Sequence, residues 1–344
     1  MGRLLLALLA ACAAPLHAFT SNTGGASAQF LRVGVGARAL GMGEAYGPVA
    51  EGAESIYWNP AGSAMLQGPD LAYSHSESMT FFHHDYLAYA HPVRALRGTL
   101  GVSGAFFYQD SLNAVDNTNR TVGSFQPHSE VLSLSYARAF DIDDEALTRD
   151  REYFGPMWNH PGAVRPLYPE EDFWHGRLAF GFAGKYVKET LYRRSASALA
   201  LDGGILYRHH DYERLHASLV FRNLGTAMRF IQESEKLPLE LAGGLSYDAR
   251  FSADRRVLLA VEAAQPYYGP PYGKVGAEYS APVSDRYTMA FRLGYKTVSL
   301  AELGPLAGLT AGVGVGTQRL SLDFGFQLLG DLGESYRLGA NIRF

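Results

Sequence analysis

Residues 320–328 read Leu320-Ser321-Leu322-Asp323-Phe324-Gly325-Phe326-Gln327-Leu328. Apolar side chains stand at every second position, with polar or small ones between them. Successive side chains of a strand point to opposite faces, so this stretch makes a strand with one greasy face and one polar or small face. The pattern recurs in Tyr287, Met289, Phe291, Leu293 and Tyr295, in Leu178, Phe180, Phe182 and Tyr186, and in Leu215, Ala217, Leu219 and Phe221. From Asp70 to Phe344 such units are bounded by Gly, Pro, Asn or Asp, the punctuation of turns. They fall near 70–76, 84–92, 98–108, 129–140, 176–188, 198–208, 213–222, 237–248, 255–264, 272–281, 286–296, 309–317, 319–328 and 334–344. The second is the weakest, because Tyr86 to Ala90 is apolar on both faces.

Fourteen strands of this kind suit either a soluble sandwich or a membrane barrel, and polarity decides. A sandwich needs regular charge on its solvent faces. Here the second face is small: Gly312, Gly314 and Gly316 in one strand, Gly101, Ser103 and Ala105 in another. An apolar outside, a small or polar lumen and aromatic residues near strand ends are what a transmembrane barrel requires. Tyr186, Tyr207, Tyr247, Tyr279, Tyr295 and Phe344 end strands in that way. Closure also pairs every backbone group in lipid. The expectation is an all-β, 14-stranded antiparallel transmembrane β-barrel at 70–344. If it begins and ends in the periplasm, its long connections face outside and its short ones inside. One connection, 141–175, breaks that rule. It opens with Asp141, Asp143, Asp144 and Glu145 and lies on the periplasmic side, as a solvated loop or as a docking surface for a periplasmic partner.

Composition agrees. Of 344 residues, 38 are Gly and 21 Tyr, and only 19% are charged, against a usual ~25%. Thirty Lys and Arg against 34 Asp and Glu leave a net charge of -4, which offers nucleic acid no broad basic field. Mean hydropathy is -0.09, and beyond the leader no stretch approaches the ~20 apolar residues of a membrane helix.

Met1 to Ala18 reads as an export signal, with Arg3, an apolar stretch from Leu4 to Ala14, Pro15 as a break and Leu16-His17-Ala18 as a cleavage context. Cleavage after Ala18 removes Cys12, the single cysteine. The competing reading is a lipobox at Leu9-Ala10-Ala11-Cys12, with acylation of Cys12; the placement of Pro15 and Ala18 favours the first.

Residues 19–69 do not alternate. They carry Gly34, Gly36, Gly41 and Gly43 among small residues, a short helical stretch from Glu51 to Tyr57, and then Asn59-Pro60-Ala61-Gly62. The segment is too small for a core of its own and is expected to pack in the lumen as a hatch. Three stretches, Ala28-Gln29-Phe30-Leu31, Gly36-Ala37-Arg38-Ala39-Leu40-Gly41-Met42-Gly43-Glu44-Ala45-Tyr46 and Ser55-Ile56-Tyr57-Trp58-Asn59-Pro60-Ala61-Gly62, resemble the N-terminal signature of PorV/PorQ-type proteins. These belong to a wider group of barrels similar to the fatty-acid transporter FadL. The resemblance implies an outer-membrane barrel of fourteen strands plugged by a hatch. It also implies one of two roles: passive uptake of hydrophobic small molecules such as long-chain fatty acids, or a PorV-like part in type IX protein secretion. Expected partners are therefore outer-membrane lipid and a hydrophobic ligand, or a secretion-system protein.

Nothing points to an enzyme, a cofactor or a metal. Gly34 to Gly43 lacks the spacing of a phosphate loop; His83-His84 and His209-His210 are adjacent pairs, poor geometry for sharing a metal because adjacent strand residues point to opposite faces, and they are expected to be loop histidines. The candidates for ligand contact or gating are Arg38 and Glu44, which could pair with lumen charges, Asn59 and Pro60 at the hatch turn, and the aromatics Phe81, Phe82, Phe107 and Tyr108 near the outer loops. Inward charges expected from strand parity are Lys185, Asp202, Glu262, Lys274, Glu278, Arg292, Asp323, Arg337 and Arg343.

Overall fold

The computed structural model describes residues 25–79, 81–142, 176–209, 214–230, 234–251, 255–298 and 304–344. The leader with Cys12 and most of the 141–175 insertion lie outside the described residues. The barrel strands are β1 (Asp70–Ser78), β2 (Phe82–Val93), β3 (Gly98–Gln109), β4 (His128–Ile142), β5 (Gly176–Leu191), β6 (Arg194–His209) and β7 (Leu215–Gly225), followed by β8 (Glu240–Arg250), β9 (Arg256–Pro266), β10 (Tyr272–Pro282), β11 (Thr288–Lys296), β12 (Leu309–Gly316), β13 (Leu320–Leu328) and β14 (Glu334–Arg343). Each pairs antiparallel with its neighbour in sequence, and β1 pairs with β14 from Asp70↔Arg343 to Ser78↔Ser335. The sheet is therefore a closed barrel of fourteen strands with no edge, the arrangement that satisfies the backbone within lipid.

Period-two alternation now has a direction. Across β10 to β14 one row of register partners is Tyr279, Phe291, Val313, Phe324 and Leu338, all exposed on the outer surface. The next row, Glu278, Arg292, Gly312, Gly325 and Arg337, faces the lumen. The apolar residues are thus outside and the charges inside, the reverse of a soluble protein. Leu134, 65% exposed, and Leu199, 62% exposed, show that the greasy face is a surface. β2 is apolar on both faces because both are covered: Leu87 and Tyr89 look outward, while Tyr86, Ala88 and Ala90 lie under the hatch.

The hatch, residues 25–69 as described, fills the lumen. Helix α1 (Ala37–Gly41) rests on β11 to β14, a 3-10 turn at Gly47–Val49 on β7 to β9, and a second at Pro60–Met65 on β3 to β6, so the segment touches the wall around most of its circumference. Helix α2 (Ser55–Trp58) follows the Gly47–Val49 turn and lies against β3. Asn59 caps the Pro60–Met65 turn, its Oδ1 accepting from Ala61 N at 3.2 Å, with Pro60 at the first helical position where no N–H is needed. Val35, Met42, Tyr46, Ile56 and Trp58 form the core of the hatch against Ala72, Tyr86, Ala88 and Leu258 of the wall.

Two wall glycines show how closely the hatch sits. A Cβ on Gly294 would strike the backbone of Gly43, and one on Gly181 would strike Pro60 and Ala61. Bare backbone at these positions lets the hatch main chain lie on the wall itself.

Two outcomes follow. Leu134→Arg is expected to lower stability by about 2–4 kcal/mol if it sits near the bilayer midplane, measured by denaturant unfolding from lipid vesicles; no change would mean that this face does not meet lipid. Gly294→Val is expected to leave the barrel folded, by heat-modifiable gel mobility, while exposing residues near Gly43 to protease; full protection would contradict the close seat.

Candidate functional site

The lumen has two unlike walls. From β7 to β14 it is a ladder of charge. Arg38 of the hatch makes a two-pronged contact with Glu278, Nε to Oε2 at 2.8 Å and Nη2 to Oε1 at 2.9 Å, and its Nη1 reaches Glu51 at 2.5 Å. Glu278 also accepts from Arg292 Nε at 2.6 Å and Arg256 Nη2 at 3.4 Å, and Arg292 Nη1 continues to Asp323 at 2.7 Å. One buried carboxylate is thus held by three guanidinium groups, one from the hatch and two from the wall. Arg343, at the mouth, reaches Glu51 at 3.7 Å and Asp70 at 3.6 Å.

Glu44 makes the second link. It stands in the left-handed region at φ 60, and its carboxylate contacts Lys296 at 3.0 Å and Arg337 at 3.4 Å. The third surrounds Trp58. Arg222 lies 5.5 Å and Lys274 5.6 Å from the indole ring, and the two cations are matched by Glu240 at 2.5 Å and Glu262 at 2.7 Å. Glu262 also accepts the hatch N–H of Gly47 at 2.8 Å.

From β2 to β6 the wall is instead mostly of small or apolar side chains, interrupted by the buried pair Lys185 and Asp202. Ser103, Ala105, Val131, Ser133, Ala183, Val187, Ala196 and Ala198 face inward. At the end of the lumen away from Asp70 and Arg343, Phe82 stacks on Phe107 at 5.6 Å, and Phe107 on the hatch residue Phe30 at 6.0 Å. Leu31, Met228 and Leu237 continue this apolar patch inward with Val131 and Val187. Beneath it lies a cavity of about 20 Å³ lined by Phe30, Leu31, Ile56, Tyr57, His84, Tyr86 and Lys185 among others. That volume holds about one water, too little for an organic ligand at this place.

The sequence candidates are distributed unevenly over this geometry. Arg38 and Glu44 sit in the charged links. Asn59 donates through Nδ2 to Gly47 O at 3.1 Å and to Ile205 O of β6 at 3.3 Å, so it ties the hatch to the wall as well as capping its own turn. Pro60 follows it against Gly181. Phe82 and Phe107 line the lumen, whereas Phe81 is exposed beside Phe82 and Tyr108 stacks on His83 at 5.0 Å on the outer face. His83 and His84 stand in β2 and not in a loop; His84 points inward and is buried, so the adjacent histidines look in opposite directions. Among the described residues no group of acidic, histidine or cysteine side chains is arranged to hold a metal.

Arg222 and Glu240 were not singled out by the sequence. The parity of β7, with Ala217, Leu219 and Phe221 on one face, already places Arg222 on the other. Glu54 was also missed. It is buried in the hatch against Gly36 with no hydrogen-bond partner among the described residues. Burial, followed by the nearby carboxylate of Asp323, raises its pKa from 4.5 to about 7. Asp70 raises it further, while Arg38 and Arg337 oppose both. Glu44 and Glu51 are instead held at about 2 against burial, Glu44 chiefly by Lys296 and Glu51 chiefly by Arg38.

The docked hatch therefore binds a proton at Glu54 more tightly than the undocked segment does. The contribution of Glu54 to hatch stability is fully present below about pH 4.5 and is lost as pH rises through 7, by about 3 kcal/mol in all, whereas Glu44 and Glu51 contribute above pH 4.5 and lose that contribution as pH falls toward 2. Protection factors of the amides in residues 36–62, each rate taken relative to the intrinsic rate at the same pH, are expected to be higher at pH 5 than at pH 8, with Glu54→Gln removing the difference; pH-independent protection factors in the unaltered protein would contradict the assignment. Separately, Glu278→Gln leaves three guanidinium groups short of a buried counter-charge, and is expected to destabilise the seated hatch by about 3–5 kcal/mol, read as increased channel conductance in planar bilayers.

No protein-family model matches the sequence, and no curated protein sequence is similar to it. Among solved structures, the chain is similar to the Pseudomonas putida toluene transporter TodX, at 12% identity and a TM-score of 0.51 over 90% of this chain and 96% of that one. It is also similar to the Ralstonia pickettii toluene transporter TbuX, at 10% identity and a TM-score of 0.50 over 90% and 98%. These likenesses show a shared fold over nearly the whole length of both neighbours.

Proposed function

We propose that the chain is an outer-membrane channel through which hydrophobic small molecules enter passively, down their concentration gradient. The observation that carries this reading is the apolar wall of β2 to β6, which runs inward from the aromatic mouth at Phe82, Phe107 and Phe30 and is blocked by the hatch. A general porin would need an open, wet bore; two cavities beside the hatch, among the described residues, measure about 20 Å³ each. A ligand of the proposed class partitions into the mouth by the hydrophobic effect, and passage requires the hatch to shift. The charged wall is compatible with such a shift, because buried ion pairs fix position while adding little net stability. The fold-level similarity to two toluene transporters supports the same reading. The reading covers hydrophobic small molecules as a class, with toluene and long-chain fatty acids as the two probes that bracket it, and no enzymatic step is part of it.

Expression in a Gram-negative host stripped of its own hydrophobic channels tests this. Entry of radiolabelled toluene or of a long-chain fatty acid is expected to rise several-fold, with little change in the permeation of small sugars. Increased sugar flux without a gain for either apolar compound would favour a porin instead.

A further inference from the structure

Resting on that channel reading, we propose that the ligand class is neutral, and that the buried pair Lys185 and Asp202 is the specificity element that excludes anionic head groups. Along the apolar wall Lys185 is the one ammonium or guanidinium group among the described residues lining the cavity. It would be the natural anchor for a carboxylate, were it not already matched. Lys185 Nζ lies 2.5 Å from Asp202 Oδ2, donates to Asn223 Oδ1 at 3.0 Å and sits 5.7 Å from the Tyr57 ring centre. The ammonium thus has an anionic neighbour in Asp202, one hydrogen-bond acceptor in Asn223 and the Tyr57 ring nearby. Asp202 is fully buried, and its Oδ1 accepts the N–H of Asn223 at 2.8 Å, so the acid is fixed from both sides.

A carboxylate arriving at this point meets a closed, net-neutral pair. Either it remains an unpaired anion against Phe30, Leu31 and Val131, or it displaces Asp202 and leaves that group buried without a counter-charge. Both are strongly unfavourable in an apolar setting. A neutral hydrocarbon suffers neither penalty. The cations of the opposite wall offer no substitute: Arg222, Lys274, Arg292, Lys296 and Arg337 each have a carboxylate within 4 Å.

The test uses the purified full-length barrel in detergent at pH 7.5, titrated by calorimetry with p-xylene and with 4-methylbenzoate, which match in size and differ in charge. The unaltered protein is expected to bind p-xylene at least about tenfold more tightly. Asp202→Asn releases the charge of Lys185 and is expected to raise affinity for 4-methylbenzoate by about tenfold, and Lys185→Met combined with Asp202→Asn restores the preference for the neutral compound. Equal affinity of the unaltered protein for both compounds overturns the proposal and leaves the channel reading standing. So does an Asp202→Asn variant that keeps heat-modifiable mobility but gains no affinity for the acid. Should that variant fail to fold, Asp202→Ser, which also removes the counter-charge of Lys185, takes its place with the same expected gain for the acid, and the absence of that gain overturns the proposal. Binding of neither compound by the unaltered protein overturns the channel reading itself.

Discussion

In a bilayer no water is present to satisfy an open strand edge, and the seam between Asp70–Ser78 and Glu334–Arg343 removes that edge. The other features descend from this closure. Once the sheet is a cylinder, alternating side chains are sorted into lipid and lumen with no third choice, which is why Phe291 and Arg292, neighbours in sequence, meet opposite solvents. A cylinder of fourteen strands is also too wide for its own side chains to fill, particularly where the wall carries Gly294, Gly312 and Gly325. A separate segment must enter, and residues 25–69 do so with their backbone against the wall.

The charged ladder takes on its meaning from that arrangement. Buried ion pairs are poor sources of net stability, since desolvation offsets most of the attraction. They are good at specifying position. Arg38 can satisfy its guanidinium only where Glu278 and Glu51 converge, and Glu44 only between Lys296 and Arg337. The opposite side is held by small side chains, with the tie from Asn59 to Ile205 O and the single buried pair Lys185 and Asp202 among them. The result is a plug with a densely charged seat on one wall and a sparsely charged, small-residue contact on the other.

Much of this was legible before any coordinates. Side-chain alternation located all fourteen strands to within a few residues, and the lack of alternation in 19–69 marked the hatch. Strand parity found eight buried inward charges, with Arg343 reaching the same lumen from its exposed place at the mouth. Parity is a local property, however, and pairing around a closed barrel is not. The three arginines on Glu278 come from α1, β9 and β11, and no spacing in the sequence expresses that convergence. Phe82 and Tyr108 were grouped as loop aromatics, yet the registers of β2 and β3 send one into the lumen and the other toward lipid. Glu54 was invisible for a related reason, since its lack of a partner arises from what the wall places around it. The N-terminal signature pointed to the fold and is silent between uptake and secretion.

The central claim is that flux requires the hatch to leave its seat, and a reversible tether tests this most directly. A Cβ built on Gly339 lies 3.4 Å from the Cβ of Ala37, close to the roughly 3.5–4.5 Å of a disulfide. With Ala37→Cys and Gly339→Cys in a Cys12→Ala background, uptake of a neutral hydrophobic probe should fall to the level of cells without the channel when oxidised and recover on reduction. Undiminished uptake through the oxidised, fully cross-linked barrel would contradict the account.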